Sequence, residues 1–330
     1  MKIAIVGAGG IGSTLGAKLA LAGHQVALLA RGANLNVLAT EGLRLIDHVD
    51  DLTGRLRLPA SDRPADLGPQ DLVIIALKSH QIPEVLGGLA PMLEPHTTVV
   101  PAINGLPWWY FERHGGEFEG LRLRALDPAG ALAAAHMAHR VIGCVVHFAA
   151  ELQAPGEVHH TGGRRLILGE LDGSMSERLS AVCGALREAR FEAEASPHIR
   201  LDVWTKLIGN LSFNPIAALT GYRMNQICGD AEVLGVIREI MREGMAVAER
   251  IGIRVAMTPD ERIGIARQLG AAKISMLQDL EQRRRMELDG IVASVIELGE
   301  RVGVPMPITR MVLALTLGRA RALGIDGNRA

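Results

Sequence analysis

Lys206, Asn210 and Asn214 recur at four-residue intervals within residues 204–215, so on a helix they form one polar stripe. Leu207, Ile208, Leu211 and Phe213 flank them, which predicts a helix buried on most sides. An ammonium and two amides in that setting are costly unless partners satisfy them. An ammonium can stabilise negative charge developing on a substrate oxygen and deliver a proton to it. Asparagine amides can hold a carboxylate without competing for that proton. Two readings stay open here: a wall facing a bound acid, or a structural polar network between helices. Pro215 follows directly and frees a backbone carbonyl if the helix runs through it.

A second set lies at the start of the chain. The apolar run 2–6 enters Gly7-Ala8-Gly9-Gly10-Ile11-Gly12, residues 13–21 have helical spacing, and a second apolar run, 25–30, ends at Arg31. Strand, glycine turn, helix and strand in that order predict a dinucleotide-binding unit. Gly7 suits the sharp turn, Gly9 the approach of a pyrophosphate, and Gly12 close packing of helix on sheet. The helix N-terminus offers unpaired N–H groups to the phosphates. NAD-binding chains place an acid at the end of the second strand, about 20 residues on, for the ribose 2′-OH. Here no acid precedes Glu41, and Arg31 occupies the position. A guanidinium there pairs with a 2′-phosphate, so NADP(H) is the expected cofactor. The competing reading of Arg31 is a solvated surface residue.

The elements that must position these groups follow from periodicity. Residues 71–77 form a nearly continuous apolar run ending at Lys78, with Gln81 just beyond, and residues 97–103 form another ending at Asn104-Gly105. Such runs read as buried parallel strands, and open α/β sheets bind ligands at their carboxyl ends. Short strands are expected at 143–148, 157–160 and 165–168, closing an edge of the same sheet. Ser174 and Glu177 have capping-box spacing. Beyond them helical spacing dominates at 176–188, 202–218, 231–251, 259–269, 283–302 and 309–323. The fold class is therefore α/β: a Rossmann-type dinucleotide-binding domain over 1–172, followed by an all-α substrate and catalytic domain over 173–330.

Composition narrows the function class. The 330 residues are 48% hydrophobic and 22% charged, with a net charge of −1, which argues against a nucleic-acid surface. No apolar run reaches the roughly 18 residues of a membrane helix. The start at Ile3 is too short for a signal peptide and runs straight into the glycine turn. Cys144, Cys183 and Cys228 are widely spaced and suggest neither a disulfide frame nor a zinc site. A cytoplasmic location with reduced thiols is expected, and homodimerisation through the helical domain is left open.

The glycine turn with Arg31, the strand-end Lys78, Asn104-Gly105, Lys206…Asn210…Asn214-Pro215, residues 275–279 and Glu287-Leu288-Asp289-Gly290 together resemble the ketopantoate reductase family, over most of the chain and in order. The resemblance implies NADPH-dependent reduction of a 2-oxo acid, 2-dehydropantoate to pantoate in pantothenate biosynthesis, with the active site between a Rossmann and a helical domain. It places the family's catalytic lysine and glutamate on Lys206 and Glu287. Its substrate contacts fall on Asn104, Asn210, Asn214 and Ser275. Its cofactor contacts fall on Gly7, Ala8, Gly9, Gly10, Ile11, Gly12, Arg31, Lys78 and Asn104. Ser275 and Glu287 are twelve residues apart, roughly 120° out of phase on one helix, so both can serve one site only across a bend or break.

The sequence departs from the family pattern after Gly105. Residues 106–111 carry a proline and two of the three Trp, one of the two Tyr and one of the five Phe in the chain. They read either as anchors or as a pocket remodelled for a different 2-oxo acid. A non-catalytic NADP(H)-binding sensor is the alternative from another class, and a Lys206/Glu287 pair argues against it.

Overall fold

The computed structural model describes residues 1–135 and 137–325. They group into two compact units. The first comprises Met1–Ile103, Trp109–Gly120 and Ala131–Ile199, and the second comprises Asn104–Trp108, Leu121–Gly130 and Arg200–Ala330.

The first unit is built on a parallel sheet of order β5-β2-β1-β6-β7: β1 (Lys2–Val6), β2 (Gln25–Leu29), β5 (Ala60–Ser61), β6 (Gln70–Ile75) and β7 (Leu93–Pro101). The continuous apolar sequence of β1 follows from its place. It lies between β2 and β6, with Ile5 level with Leu28 on one side and Ile74 on the other, and its residues 3–6 are buried.

Residues 143–148, 157–160 and 165–168 do not close that sheet. They belong to a second one, in which a long hairpin of β8 (Ile142–Ala154) and β9 (Glu157–Glu170) joins β3 (Leu43–Asp47), β4 (Leu52–Leu56) and β10 (Glu192–Ala195). Gly162-Gly163, a turn signal by composition, instead marks a register irregularity within one continuous strand. The first helix, α1 (Gly10–Leu21), explains why two sheets are needed. Residues 12–19 are all buried, and one apolar core joins Ile3, Ile5, Leu28 and Ile74 of the first sheet to Val146, Phe148, Val158 and Leu166 of the second. Helix α1 is buried on more than one face, which fits its run of Gly, Ser, Thr and Ala.

Lys18 is buried on that helix. Its ammonium meets Asp47 Oδ2 at 2.9 Å and Asp50 Oδ2 at 2.5 Å. His160, fully buried, lies with Nδ1 2.9 Å from Asp47 Oδ1 and Nε2 2.7 Å from the Gly163 carbonyl. Burial alone would raise the Asp47 carboxyl. Lys18, then His160 and the Asp50 and Val49 amides, outweigh it and hold that carboxyl well below the usual range. This is a buried pair with its hydrogen bonds satisfied, the arrangement in which removing one partner is costly.

Helix α2 (Gly32–Thr40) follows Arg31. Helix α3 (Glu177–Glu188) and β10, which a boundary near 172 would assign to the helical domain, lie in the first unit. The cap of α3 is Ser176, whose hydroxyl accepts from Leu179 N, while Ser174 donates to Asp172 instead. The expected Ser174–Glu177 box is absent: a single Ser176 cap starts the helix, and Ser174 is engaged by Asp172.

The second unit is helical: α4 (Ile199–Thr220), α5 (Met224–Gly229), α6 (Ala231–Arg250), α7 (Pro259–Arg267), α8 (Ser275–Glu281), α9 (Ser294–Arg301) and α10 (Pro307–Ala322). Helix α6 buries Leu234, Ile237, Met241, Gly244 and Ala248, one face at helical spacing. Gly244 lets Ile208 and Leu211 of α4 approach closely, because a Cβ there would meet their methyls at 2.8–2.9 Å. Glu243 of α6 accepts from the Ile308 and Thr309 amides and so caps α10. Residues 121–130 join this unit, and the Arg124 and Ala125 amides donate to Glu297 at 2.9 Å. Among the described residues no helix is long and apolar enough to cross a membrane.

Candidate functional site

In the first unit the six-residue glycine turn joins β1 to α1. Gly7 leaves the strand at φ 102°, and a Cβ on it would lie 2.7 Å from the Ala76 carbonyl. A Cβ on Gly12 would overlap the Gly7 carbonyl and meet Ile5 at 3.0 Å. Gly10 is held equally tightly, against the Ala150 carbonyl of β8. Gly9 differs: no protein atom lies within 4 Å of the position a Cβ would take. It is the N-cap of α1, and no side chain caps that end, so the first-turn amides keep their donors for an anion. Ala8 and Ile11 pack on the core beneath. These residues fit a dinucleotide pyrophosphate.

Arg31 stands at the N-cap of α2 in an extended conformation. Its side chain is about two-thirds exposed, and Glu84, equally exposed, lies 4.0 Å away. An exposed pair at that distance contributes little, so the guanidinium is available to a phosphate. Lys78 follows β6 at the start of a short helical turn, and its amide donates to the Gln81 side chain at 3.1 Å.

Asn34 is a residue that sequence reasoning missed. Its Nδ2 donates to the Ala8 carbonyl and its Oδ1 accepts from Gly156 N, each at 2.7 Å. One amide thus ties the glycine turn and the first turn of α2, which carries Arg31, to the tip of the β8–β9 hairpin. The only signal was an asparagine inside a helix opening, which also reads as a capping residue.

In the second unit, Lys206, Asn210 and Asn214 lie on α4, which is continuous through Pro215. Lys206 Nζ donates to Asn104 Oδ1 at 2.8 Å, and Asn104 Nδ2 faces Glu287 Oε2 at 3.5 Å, a long contact. Asn104 therefore bridges the lysine and the glutamate, and it accepts from the cation and donates to the anion. Glu287 is 8% exposed and Asn214 5%. No side-chain hydrogen bond joins Asn210, Asn214 or Ser275 to another described residue, and Ser275 is exposed at the start of α8. An amide without a side-chain hydrogen bond to a described residue, as at Asn214, keeps its donors and acceptor for a ligand.

The helix expected over 283–302 starts only at 288, so a break lies between Ser275 and Glu287, the condition for both to serve one site. Arg283 takes φ 52°, residues 284–287 are irregular, and a π-helical turn (Asp289–Ala293) precedes α9. Such turns free backbone groups and recur at functional sites. Here the Gly290 carbonyl accepts from Leu106 N at 2.7 Å and from Ser294 Oγ at 2.9 Å. Gly105, at φ 83°, sits so close to that carbonyl that a Cβ would overlap it. The π-turn thereby anchors the loop that presents Asn104. Beside it, burial pushes the Asp289 carboxyl up against the opposing influence of Arg285, 2.7 Å away.

The aromatic segment divides. Trp109, Tyr110 and Phe111 are buried in the first unit, with Tyr110 and Phe111 edge to face at 5.0 Å and Phe118 beside them. A Cβ on Gly143 would meet the Trp109 ring at 2.7 Å. These three are anchors. Only Trp108, which groups with the second unit, stays part-exposed.

Known proteins are similar to this one over most of the chain. Residues 3–173 match the family model of ketopantoate reductase PanE/ApbA, and residues 198–320 match its C-terminal model. The 2-dehydropantoate 2-reductase of Mesorhizobium japonicum is 45% identical over 96% of this chain and 96% of its own. A crystal structure from Ralstonia solanacearum MolK2, assigned to the ketopantoate reductases, superposes with a TM-score of 0.93 at 44% identity, covering 98% of both chains. That of 2-dehydropantoate 2-reductase from Geobacter metallireducens GS-15 does so with 0.84 at 28% identity, over 96% of this chain and 99% of its own. The chain belongs to the ketopantoate reductase family of oxidoreductases.

Proposed function

We propose that the protein reduces 2-dehydropantoate to pantoate with NADPH, the first unit binding the cofactor and the second the 2-oxo acid. Bound NADPH supplies the hydride to the ketone carbon. The remaining work belongs to the chain. As negative charge gathers on the ketone oxygen, the Lys206 ammonium stabilises it and donates the proton. Asn104 keeps that ammonium aimed through the 2.8 Å hydrogen bond, and Glu287 holds the other end of the same amide. Glu287 then acts by orienting Lys206 through Asn104 or by accepting from the new hydroxyl. Asn210, Asn214 and Ser275 supply donors for the substrate carboxylate, and Lys78 with Asn104 completes the cofactor contacts.

The observation that carries this reading is the Lys206–Asn104–Glu287 chain, which unites residues from three separate parts of the sequence. A Lys206→Ala variant is expected to lose about 10²- to 10⁴-fold in kcat, the usual worth of a positioned acid, with NADPH affinity unchanged by fluorescence titration. Near-normal turnover in that variant would remove Lys206 as the proton donor.

A further inference from the structure

Arg262 of α7 has no role in the chemistry above. Its guanidinium lies on α4 at Gly209: a Cβ there would overlap Nη2 and come within 2.7 Å of Cζ and 2.8 Å of Nε. Cζ also stands 5.9 Å from the centre of the Phe213 ring. Positions 209 and 213 border the stripe of Lys206, Asn210 and Asn214, since successive residues step about 100° around a helix of 3.6 residues per turn. Arg262 therefore lies along the edge of the polar stripe. No hydrogen bond or ion pair joins its guanidinium to another described residue, and burial depresses its pKa. A part-buried cation with five donors and no acceptor is an expensive arrangement. It becomes favourable when a planar anion accepts two of those donors side by side.

We infer that Arg262 is a specificity-determining residue that pairs with the carboxylate of the 2-oxo acid beside Lys206. This rests on the proposed reduction and adds to it a residue and a preference for the ionised acid over neutral analogues. Gly209 is part of the device, because only a residue without Cβ lets the guanidinium come this close to α4. The ketone oxygen is left to Lys206, and the two cations take opposite ends of the substrate's oxo-acid group.

The test compares a 2-oxo acid with its methyl ester as substrates of the full-length protein, using Arg262→Met, which keeps contact with Phe213, and Gly209→Ala, which displaces the guanidinium and leaves Arg262 in the chain. Both variants are expected to raise KM for the acid about ten- to hundredfold, the worth of a charge-assisted hydrogen bond. KM for the ester, kcat and KM for NADPH should stay within about twofold by the same reasoning, because none of them uses the pairing. The preference for acid over ester then collapses in both variants. Equal losses for acid and ester, or an unchanged preference, would overturn the role of Arg262 while leaving the reductase reading intact. A wild-type protein that turned over neither substrate would defeat the reductase reading itself.

Discussion

In the proposed function Arg31 and Lys206 are cations with different tasks, and their surroundings differ. Arg31 is exposed and only loosely paired with Glu84, as a group awaiting a phosphate should be. Lys206 is part-buried and held at 2.8 Å by Asn104, as a group delivering a proton to one place should be. Arg31→Ala is expected to weaken NADPH binding about tenfold or more, the scale of a charged hydrogen-bonded contact, while NADH binding barely changes. Equal weakening of both would reject the 2′-phosphate role. The sequence singled out these two residues because type and position coincided: a basic residue where an acid is usual, and a lysine in a polar stripe on an apolar helix. Asn34 and Arg262 were not legible. An asparagine in a helix opening and an arginine on a short helix are commonplace, and only packing against Ala8 and Gly156, or against Gly209, separates them from ordinary surface residues.

At the scale of elements, the break between α8 and α9 matters most. The phase argument made a break the condition for Ser275 and Glu287 to serve one site, but its form, a left-handed Arg283 followed by a π-turn, depends on contacts distant in sequence. The Gly290 carbonyl freed there fixes the loop of Asn104. Gly105→Ala combines a positive φ with overlap of that carbonyl. It is expected to lower kcat about tenfold or more, a typical cost of a small displacement of a catalytic group, with NADPH affinity preserved. Unchanged kcat would show that the loop tolerates movement. Helix α1 gives a prediction on stability. Asp47 is held below its unfolded value, so its stabilisation is fully present above about pH 4, the usual carboxylate value. It is lost as pH falls further toward the folded value. Asp47→Asn should cost about 3–5 kcal/mol at pH 7 and abolish this part of the acid sensitivity. Urea unfolding at pH 7 and pH 3 measures both, and a variant that matched the parent at each pH would contradict the account.

At the scale of the molecule, the α/β and helical halves were legible from periodicity, because continuous apolar runs and 3.6-residue spacing report element type directly. Sheet membership was not. Periodicity cannot tell whether β8 and β9 extend the first sheet or build another, and the answer lay in the need to cover α1. The membership of residues 104–108 and 121–130 in the helical unit is likewise set by contacts such as Leu106 with Gly290 and Arg124 with Glu297. The burial of Trp109, Tyr110 and Phe111 removes most of the reason to expect an unusual pocket, which favours the substrate of the named relatives over another 2-oxo acid. The central claim is tested most directly by ranking kcat/KM for a panel of 2-oxo acids with NADPH and with NADH. The account predicts 2-dehydropantoate first and NADPH strongly preferred. A higher kcat/KM for another 2-oxo acid, or indifference between the two cofactors, would contradict it.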